Sequence, residues 1–229
     1  SQSSIGTGDG ELIDSYDIVV RLASVGGNSL PVKEEHKPDI GTRCDILYTN
    51  FASGFDPQQV QRAKALGVQY MNCTRPVHEL NTHWKQHIEL FKEIGMFYAP
   101  VNDKKHRQWT SHMKCSPHSG FCAILDLLSY DIEELLVVGF SFYKDSAHSD
   151  WPVCNGMNYE KYIEDVAQVN NDGEKIFEHC ADGRKYINIE EWTQEKIHNN
   201  QKEYLFFKHK ILKEDKRVFI SPSLEKFFK

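Results

Sequence analysis

Short, mostly apolar segments alternate along this chain with segments whose apolar residues recur at helical spacing. The apolar segments are Tyr16–Leu22, Cys44–Thr49, Val68–Asn72, Met96–Val101 and Glu134–Phe140. A strand that is apolar on both faces is typical of a parallel sheet that helices cover. The pattern therefore predicts an α/β fold, Rossmann-like, with a mostly parallel central sheet and helices on both faces.

Helical spacing and capping residues define the segments between and after these strands. The predicted helices are Gln58–Leu66, Trp84–Gly95, Phe121–Tyr130, His198–Leu212 and a terminal helix that starts at Ser221-Pro222. A further short strand is predicted over Arg217–Ile220. In a parallel α/β sheet the ligand lies at the carboxyl ends of the strands, so functional side chains are expected there.

The 229 residues predict one domain, 1–229, with a single interruption. Residues 144–197 are polar with scattered aromatic residues, and they lack the alternation of strand and helix. We interpret this stretch as an excursion at the edge of the active site. Two roles remain open for it: a lid or acceptor platform, and an ordered surface loop.

Charge and hydropathy restrict the classes of partner. The formal net charge is −6, and no basic run is present that would neutralise nucleic-acid phosphates. No stretch approaches the roughly 20 apolar residues that a membrane span requires, and the start lacks a signal-peptide pattern. We therefore expect no nucleic-acid partner, and membrane attachment only through a segment upstream of this chain.

The cysteines leave the redox compartment open. Six cysteines are too sparse for a disulfide scaffold, but an even number permits one or two bridges. Asn72-Cys73-Thr74 also fits the N-glycosylation pattern, which would suit a secretory protein.

Two segments are candidates for phosphate binding. Gly6-Thr-Gly8-Asp-Gly10 precedes a predicted strand, so its backbone could approach a phosphate closely, although a plain turn explains the same glycines. Ser116-Pro117-His118-Ser119-Gly120 stands directly before a predicted helix, whose first N–H groups and positive dipole end favour an anion. A capped core helix is the alternative for the second segment.

Three motifs together resemble the eukaryotic-type sialyltransferase family. The segment from Gly8 to Arg21, with Asp39-Ile-Gly41-Thr42 downstream, is similar to the large sialylmotif. Ser116 through Gly120, continuing to Val138-Gly139-Phe140, resembles the small sialylmotif, and His198 with Glu203 resembles the very small one. The order and spacing of the three motifs match those of the family.

The resemblance implies a modified GT-A fold and transfer of an acidic sugar from a CMP-activated donor to a glycan hydroxyl, with inversion. Carried over by position, Ser119 and Gly120 would contact the donor, Gly139 and Phe140 the cytidine side, and His198 would be the general base. Gly8 is a further candidate contact with the substrate. The resemblance also suggests the Golgi lumen or secretory pathway, with the cytoplasm as the alternative.

The chemistry of these residues is compatible with that assignment. An imidazole with a pKa near about 6.5 can accept a proton from an acceptor hydroxyl at neutral pH. Glu203 lies five residues after His198, about 140° further around a helix, and is expected to support the site without carrying a proton. A second family histidine has two candidates here, His179 by spacing and His148 by its aromatic neighbourhood.

No Asp-x-Asp sequence occurs in the chain, and such a pair holds the metal in many diphosphate-sugar transferases. A monophosphate donor can be matched by a helix dipole and polar hydrogens. We therefore expect no required metal or cofactor, and a CMP-sugar as the donor substrate.

Two alternatives remain. The family pattern has asparagine two residues after the motif arginine, whereas this chain has Ala23, which suggests a catalytically impaired CMP- or glycan-binding relative. The first strand of the family pattern would lie upstream of residue 1, which suggests a trimmed chain or one without a central strand. Separately, His112, Cys115, His118 and Cys122 have nearly the spacing of a zinc site, which suggests a zinc-stabilised interaction module. The sequence leaves open the acceptor, the linkage and whether the donor carries sialic acid or a Kdo-like sugar.

Overall fold

The computed structural model describes residues 4–22, 32–50, 57–76, 84–142, 168–169, 175–178, 185–186 and 200–229. Contacts between residues divide the chain into two compact units. The N-terminal unit comprises Ile5–His112 and His118–Ile132, and the C-terminal unit comprises Ser1–Ser4, Met113–Pro117 and Glu133–Lys229.

The N-terminal unit alternates strands with helices. Its strands are β1 (Val20–Leu22), β2 (Ile46–Thr49), β3 (Tyr70–Pro76) and β4 (Phe97–Val101). Its helices are α1 (Gly10–Asp14), α2 (Lys37–Ile40) after a 3-10 turn (Glu34–His36), α3 (Pro57–Ala65), α4 (Trp84–Ile94), α5 (Asp103–Met113) and α6 (Ser119–Leu127).

The four strands form one parallel sheet in the order β1-β2-β3-β4. Leu47 pairs with Met71, and Tyr48 pairs with Asn72. The two residues of each pair point to the same face of the sheet, and successive pairs point to opposite faces. The predicted α/β fold with a parallel sheet and flanking helices is confirmed.

One face of this sheet carries the main apolar core. Leu47 and Met71 pack there with Val60 of α3 and Phe91 of α4, and each of these side chains is almost fully buried. The ring of Phe91 stacks on Tyr98 of β4 at 4.5 Å between centroids. Helices α3 and α4 therefore cover the same face, as right-handed crossovers between sequential parallel strands require.

Helix α6 covers the opposite face. Side chains alternate between faces along a strand, so Tyr48 points away from the Leu47 core, and its hydroxyl donates to Asp126 of α6 at 2.8 Å. The Cys122 thiol donates to the backbone oxygen of Thr74 in β3 at 3.3 Å. These contacts place α6 across β2 and β3.

Helices α1 and α2 pack together so closely that only glycine fits at the contact. A Cβ at Gly10 would lie 2.3 Å from the backbone oxygen of Lys37. Gly41 has φ +70, and a Cβ there would lie 2.4 Å from Asp14 Oδ1 and 2.8 Å from the backbone oxygen of Gly10. These glycines of the segments that resemble the large sialylmotif therefore have a packing role.

The C-terminal unit contains a second, two-stranded parallel pair. Strand β5 (Leu135–Val137) pairs with β9 (Val218–Ile220), with Leu136 opposite Phe219. Helix α7 (Asn200–Phe206) continues into a π-helical turn (Phe207–Ile211), and a 3-10 helix (Pro222–Phe227) follows β9.

Three short strands lie within the stretch 144–197, to which the sequence analysis assigned no strands. They are β6 (Gln168–Val169), β7 (Lys175–Glu178) and β8 (Lys185–Tyr186). Both pairings, β6 with β7 and β7 with β8, are antiparallel. With only two to four residues each, these strands are too short for an alternation pattern to be visible in the sequence.

Helices α1, α2 and α5 were not predicted. The first two have five and four residues, too few for a helical period to show. Helix α5 has eleven residues, DKKHRQWTSHM, and only its tryptophan and methionine are strongly apolar. Its hydrophobic stripe is therefore too sparse for recognition from the sequence.

We expect Gly41→Ala to lower the free energy of unfolding by about 2–5 kcal/mol, because it combines an unfavourable backbone conformation with overpacking. Gly67→Ala is the matched control, since Gly67 also has a positive φ, +90, but nothing lies within 4 Å of its would-be Cβ. Its cost should be about 1–2 kcal/mol. Urea denaturation measures both, and equal losses would show that the α1–α2 contact tolerates a methyl group.

Candidate functional site

The amino end of α6 is the candidate site that the sequence predicted in the N-terminal unit. The helix begins at Ser119, directly after His118, whose backbone is extended and whose side chain makes no capping hydrogen bond. The first turn of an α-helix presents N–H groups that have no partner within the helix, together with the positive end of its dipole. Ser119 and Gly120 lie in that turn, whereas the sequence predicted them directly before the helix.

The position of this helix end is fixed by the sheet. The Ser119 hydroxyl lies 3.2 Å from the Thr74 hydroxyl, and the Thr74 hydroxyl donates to the backbone oxygen of Thr49 at 3.4 Å. Thr49 ends β2, and Thr74 lies two residues before the end of β3. The amino end of α6 therefore lies at the carboxyl ends of two parallel strands, where α/β folds bind ligands.

A buried polar network anchors the other end of α6. The Asn72 amide is hydrogen-bonded to the Tyr48 hydroxyl, which donates to the Asp126 carboxylate. Burial raises the pKa of Asp126, while the bond from Tyr48 and the charge of Lys105 act in the opposite direction. Burial also raises the pKa of Tyr48. We assign this network a structural role, because it holds α6 against the sheet.

The backbone N–H groups of the glycine turn before α1 bind the carboxylate of Asp39, a residue of the same chain. The Gly6 N–H donates to Asp39 Oδ2 at 2.7 Å, and the Gly8 N–H donates to Asp39 Oδ1 at 3.0 Å. Hydrogen bonds from these two amides lower the pKa of Asp39. The amide that was predicted to approach a phosphate at Gly8 thus donates to a carboxylate, so we leave Gly8 out of the donor site.

The two arginines near this turn bind backbone oxygens. Arg21 donates to the backbone oxygens of Arg43 and Ile40, both at 2.7 Å. Arg43 donates to the backbone oxygens of Asp14 at 2.8 Å and Tyr16 at 2.7 Å. Both guanidinium groups therefore hold loops in place, and neither is assigned to an acidic ligand.

The C-terminal unit contains the remaining described residues of the predicted site. Gly139, two residues after β5, has φ +66, and Phe140 follows it. The Glu203 side chain in α7 is only 1% exposed. Glu203 is therefore a core side chain of this unit, and its supporting role in the site stays a prediction.

Three predicted site residues lie outside the described residues: His198, His179 and His148. Ala23, which motivates the catalytically impaired alternative, also lies outside them. Their roles remain predictions.

The zinc-site alternative receives no support. All four of its residues are described, yet no group of three or more histidine, cysteine or acidic side chains in the described part of the chain could hold a metal ion. Cys122 is buried and bonded to the backbone of β3. Its core position explains why ligand-like spacing in the sequence does not produce a metal site here.

The structure also bears on the cysteines, on the N-glycosylation pattern at Asn72 and on the presence of membrane-spanning helices. The described cysteines, Cys44, Cys73, Cys115 and Cys122, are buried and form no disulfide with one another, and burial raises the pKa of Cys44 to about 11. Asn72 lies inside β3, and its amide is bonded to Tyr48, so in the fold this sequon is not an open glycan acceptor. No helix among the described residues has the length and apolar character needed to cross a bilayer.

Sequence reasoning missed the contact of Thr74 at the candidate site and the contacts of Asp39 at the glycine turn. Thr74 matters through a hydroxyl contact to a residue 45 positions away, and no periodicity reveals such a contact. Asp39 was noted only as part of the resemblance. Its position two residues before Gly41, beside the α2 cap, was the available signal for a structural carboxylate.

Comparisons with models of protein families, with curated proteins and with solved structures found no match to this chain.

We expect Asp39→Asn to destabilise the protein most at neutral pH. A carboxyl with a lowered folded-state pKa contributes stability above its unfolded pKa of about 4, and that contribution is lost as pH falls through the folded pKa. Urea midpoints of wild type and variant should therefore differ at pH 7 and converge toward pH 3.

Glu11→Gln is the control for this experiment, because it removes the same charge from an exposed position in α1. An equal loss of stability in both variants at pH 7 would contradict a specific role for the bonds from Gly6 and Gly8 to Asp39.

Proposed function

We propose that this chain is a sialyltransferase-like inverting glycosyltransferase with a modified GT-A fold. It moves an acidic sugar from a CMP-activated donor to a glycan hydroxyl, in the Golgi lumen or secretory pathway. One observation carries the proposal: the amino end of α6 lies at the carboxyl ends of β2 and β3, with Ser119 bonded to Thr74. The joint occurrence of the three motifs supports the family assignment.

The proposed donor contact follows from the chemistry of α6. Its first turn combines outward N–H groups, a positive dipole end and the Ser119 hydroxyl, which together favour a single phosphate. The helix is largely apolar and buried beyond this turn, from Phe121 through Asp126, so its direction is held firmly. Fixed dipoles of this kind stabilise the negative charge that develops on departing CMP.

The transfer step needs one base. The acceptor oxygen attacks the anomeric carbon as the bond from that carbon to the CMP phosphate oxygen breaks, and CMP departs with the bonding pair. The acceptor proton passes to the imidazole that we assign to His198. Helix α7 begins at Asn200, two residues after His198, and the buried Glu203 lies in its first turn.

No metal is required in this proposal. One phosphate is matched by the α6 turn, and the chain contains no Asp-x-Asp pair. Gly139 and Phe140 are assigned to the cytidine side of the donor, as the resemblance implies. The acceptor contacts are assigned to the stretch 144–197, within which His148 and His179 are the two candidates for a second functional histidine.

A catalytically impaired CMP- or glycan-binding relative is the second candidate, and Ala23 favours it. Alanine has no side-chain hydrogen-bonding group, whereas the family pattern has asparagine at that position. The two candidates differ in one observable property. Binding of CMP without transfer to any of a broad panel of glycan acceptors would identify the binding protein.

Ser119→Asp should abolish CMP binding without destabilising the fold. A carboxylate at a helix amino end is favourable by about 0.3–1 kcal/mol, but it repels the phosphate that would occupy the same place. Ser119→Asn is the matched control, since it has nearly the same size and no charge. Isothermal titration with CMP measures binding, and retention of wild-type affinity in the aspartate variant would remove α6 from the donor site.

His198→Ala should lower the rate of CMP release from donor in the presence of acceptor by about 10²–10⁴-fold, the usual contribution of a general base. CMP affinity should change little, because the base acts on the acceptor. His209→Ala is the control, since His209 is exposed in the same C-terminal region. Unchanged turnover in the His198 variant would exclude this imidazole as the base.

A further inference from the structure

We propose that Phe142 is a positioning residue for the nucleotide-binding turn that follows β5. This inference rests on the proposed function, because it concerns the segment Gly139–Phe140 that we assign to the cytidine side of the donor. Phe142 itself touches no substrate in the proposal. It acts by fixing the backbone of this turn against α7.

The backbone at Phe142 is unusual for a bulky residue. Its φ is +53, in the left-handed region that glycine adopts readily and that a side chain makes unfavourable. Gly139, three residues earlier, has φ +66 and meets no such penalty. A bulky side chain retains an unfavourable backbone conformation only where its surroundings hold it there.

The surroundings of Phe142 are four aromatic rings. Its own ring is buried and lies 4.6 Å from Phe140, 5.3 Å from Phe207, 5.9 Å from Tyr204 and 6.1 Å from Phe228, measured between ring centroids. Aromatic pairs within about 4.5–7 Å attract each other beyond their shared burial. The contact with Phe140 ties the ring directly to the turn.

Two backbone irregularities, the positive φ of Phe142 and a π-helical turn, meet at the contact between Phe142 and Phe207. Phe207 starts the π-helical turn, in which the Leu212 N–H donates to the Phe207 backbone oxygen at 2.8 Å, five residues back. The π-turn contains Phe207, whose fully buried ring packs against Phe142. Single π-helical turns inside α-helices occur frequently at functional sites.

The aromatic rings around Phe142 also include one from α7, the helix that begins two residues after the proposed base His198. Tyr204 belongs to α7, next to the buried Glu203, and its hydroxyl donates to the backbone oxygen of Phe227 at 2.9 Å. Phe142 therefore connects the turn after β5 with the helix that begins two residues after His198. A shift of either element would break ring contacts that hold the other.

Three variants test this role. Phe142→Leu keeps an apolar side chain and the same backbone penalty but removes the ring contacts, whereas Phe142→Gly removes the ring and the penalty together. Phe228→Leu is the matched control: Phe228 contacts Phe142, Tyr204 and Phe207, but its φ of −113 is ordinary and it is remote in sequence from the turn.

The readouts are the Kd for CMP by calorimetry, the KM for donor and for acceptor, and the urea midpoint. Both leucine variants should lose stability. Only the Phe142 variants should raise the Kd for CMP and the donor KM, by about tenfold, which corresponds to 1.4 kcal/mol. Acceptor KM should stay within about twofold, because the turn is assigned to the donor.

The outcomes separate this inference from the proposed function. Wild-type protein that fails to bind CMP overturns the proposed function, whatever the variants do. If wild type binds CMP, then wild-type affinity in either Phe142 variant overturns the inference, because the ring would be dispensable. Equal weakening by Phe142→Leu and Phe228→Leu also overturns it, since general loss of packing would then explain the effect.

Discussion

The hydrogen bond between Thr74 and Ser119 ties the first residue of α6 to the carboxyl end of β3, and the proposed chemistry depends on that position. Thr74 also donates to the last residue of β2, so this one side chain joins two strands and a helix end. The Tyr48–Asp126 bond holds the other end of the same helix. Between the two contacts α6 is almost fully buried, and its amino end remains at the ligand-binding edge of a parallel sheet.

Several residues that resemble family motifs stabilise the fold of the N-terminal unit. Asp39 accepts hydrogen bonds from Gly6 and Gly8, and Gly10 and Gly41 allow α1 and α2 to touch. A glycine turn that favours anions can thus be satisfied by a carboxylate of its own chain. In this chain the residues that resemble the large sialylmotif therefore stabilise the local packing of α1 and α2.

The sequence predicted the parallel sheet, because apolar runs are strong local signals. It predicted the start of α6 at Phe121, two residues after the observed start at Ser119, because Ser116–Gly120 has the composition of a helix start. The first two strands were predicted to start too early, at Tyr16 and Cys44 instead of Val20 and Ile46, since apolar residues precede the hydrogen-bonded ladder. Helix α5 and the role of Thr74 escaped prediction. Amphipathicity in α5 is weak, and the Thr74 contact joins residues distant in sequence.

A crystal structure of the protein soaked with CMP would show whether the amino end of α6 holds the donor phosphate. The account predicts a phosphate within hydrogen-bonding distance, about 3 Å, of the Ser119 and Gly120 N–H groups or the Ser119 hydroxyl. A CMP molecule bound elsewhere, or an α6 end left empty at saturating CMP, would contradict the account.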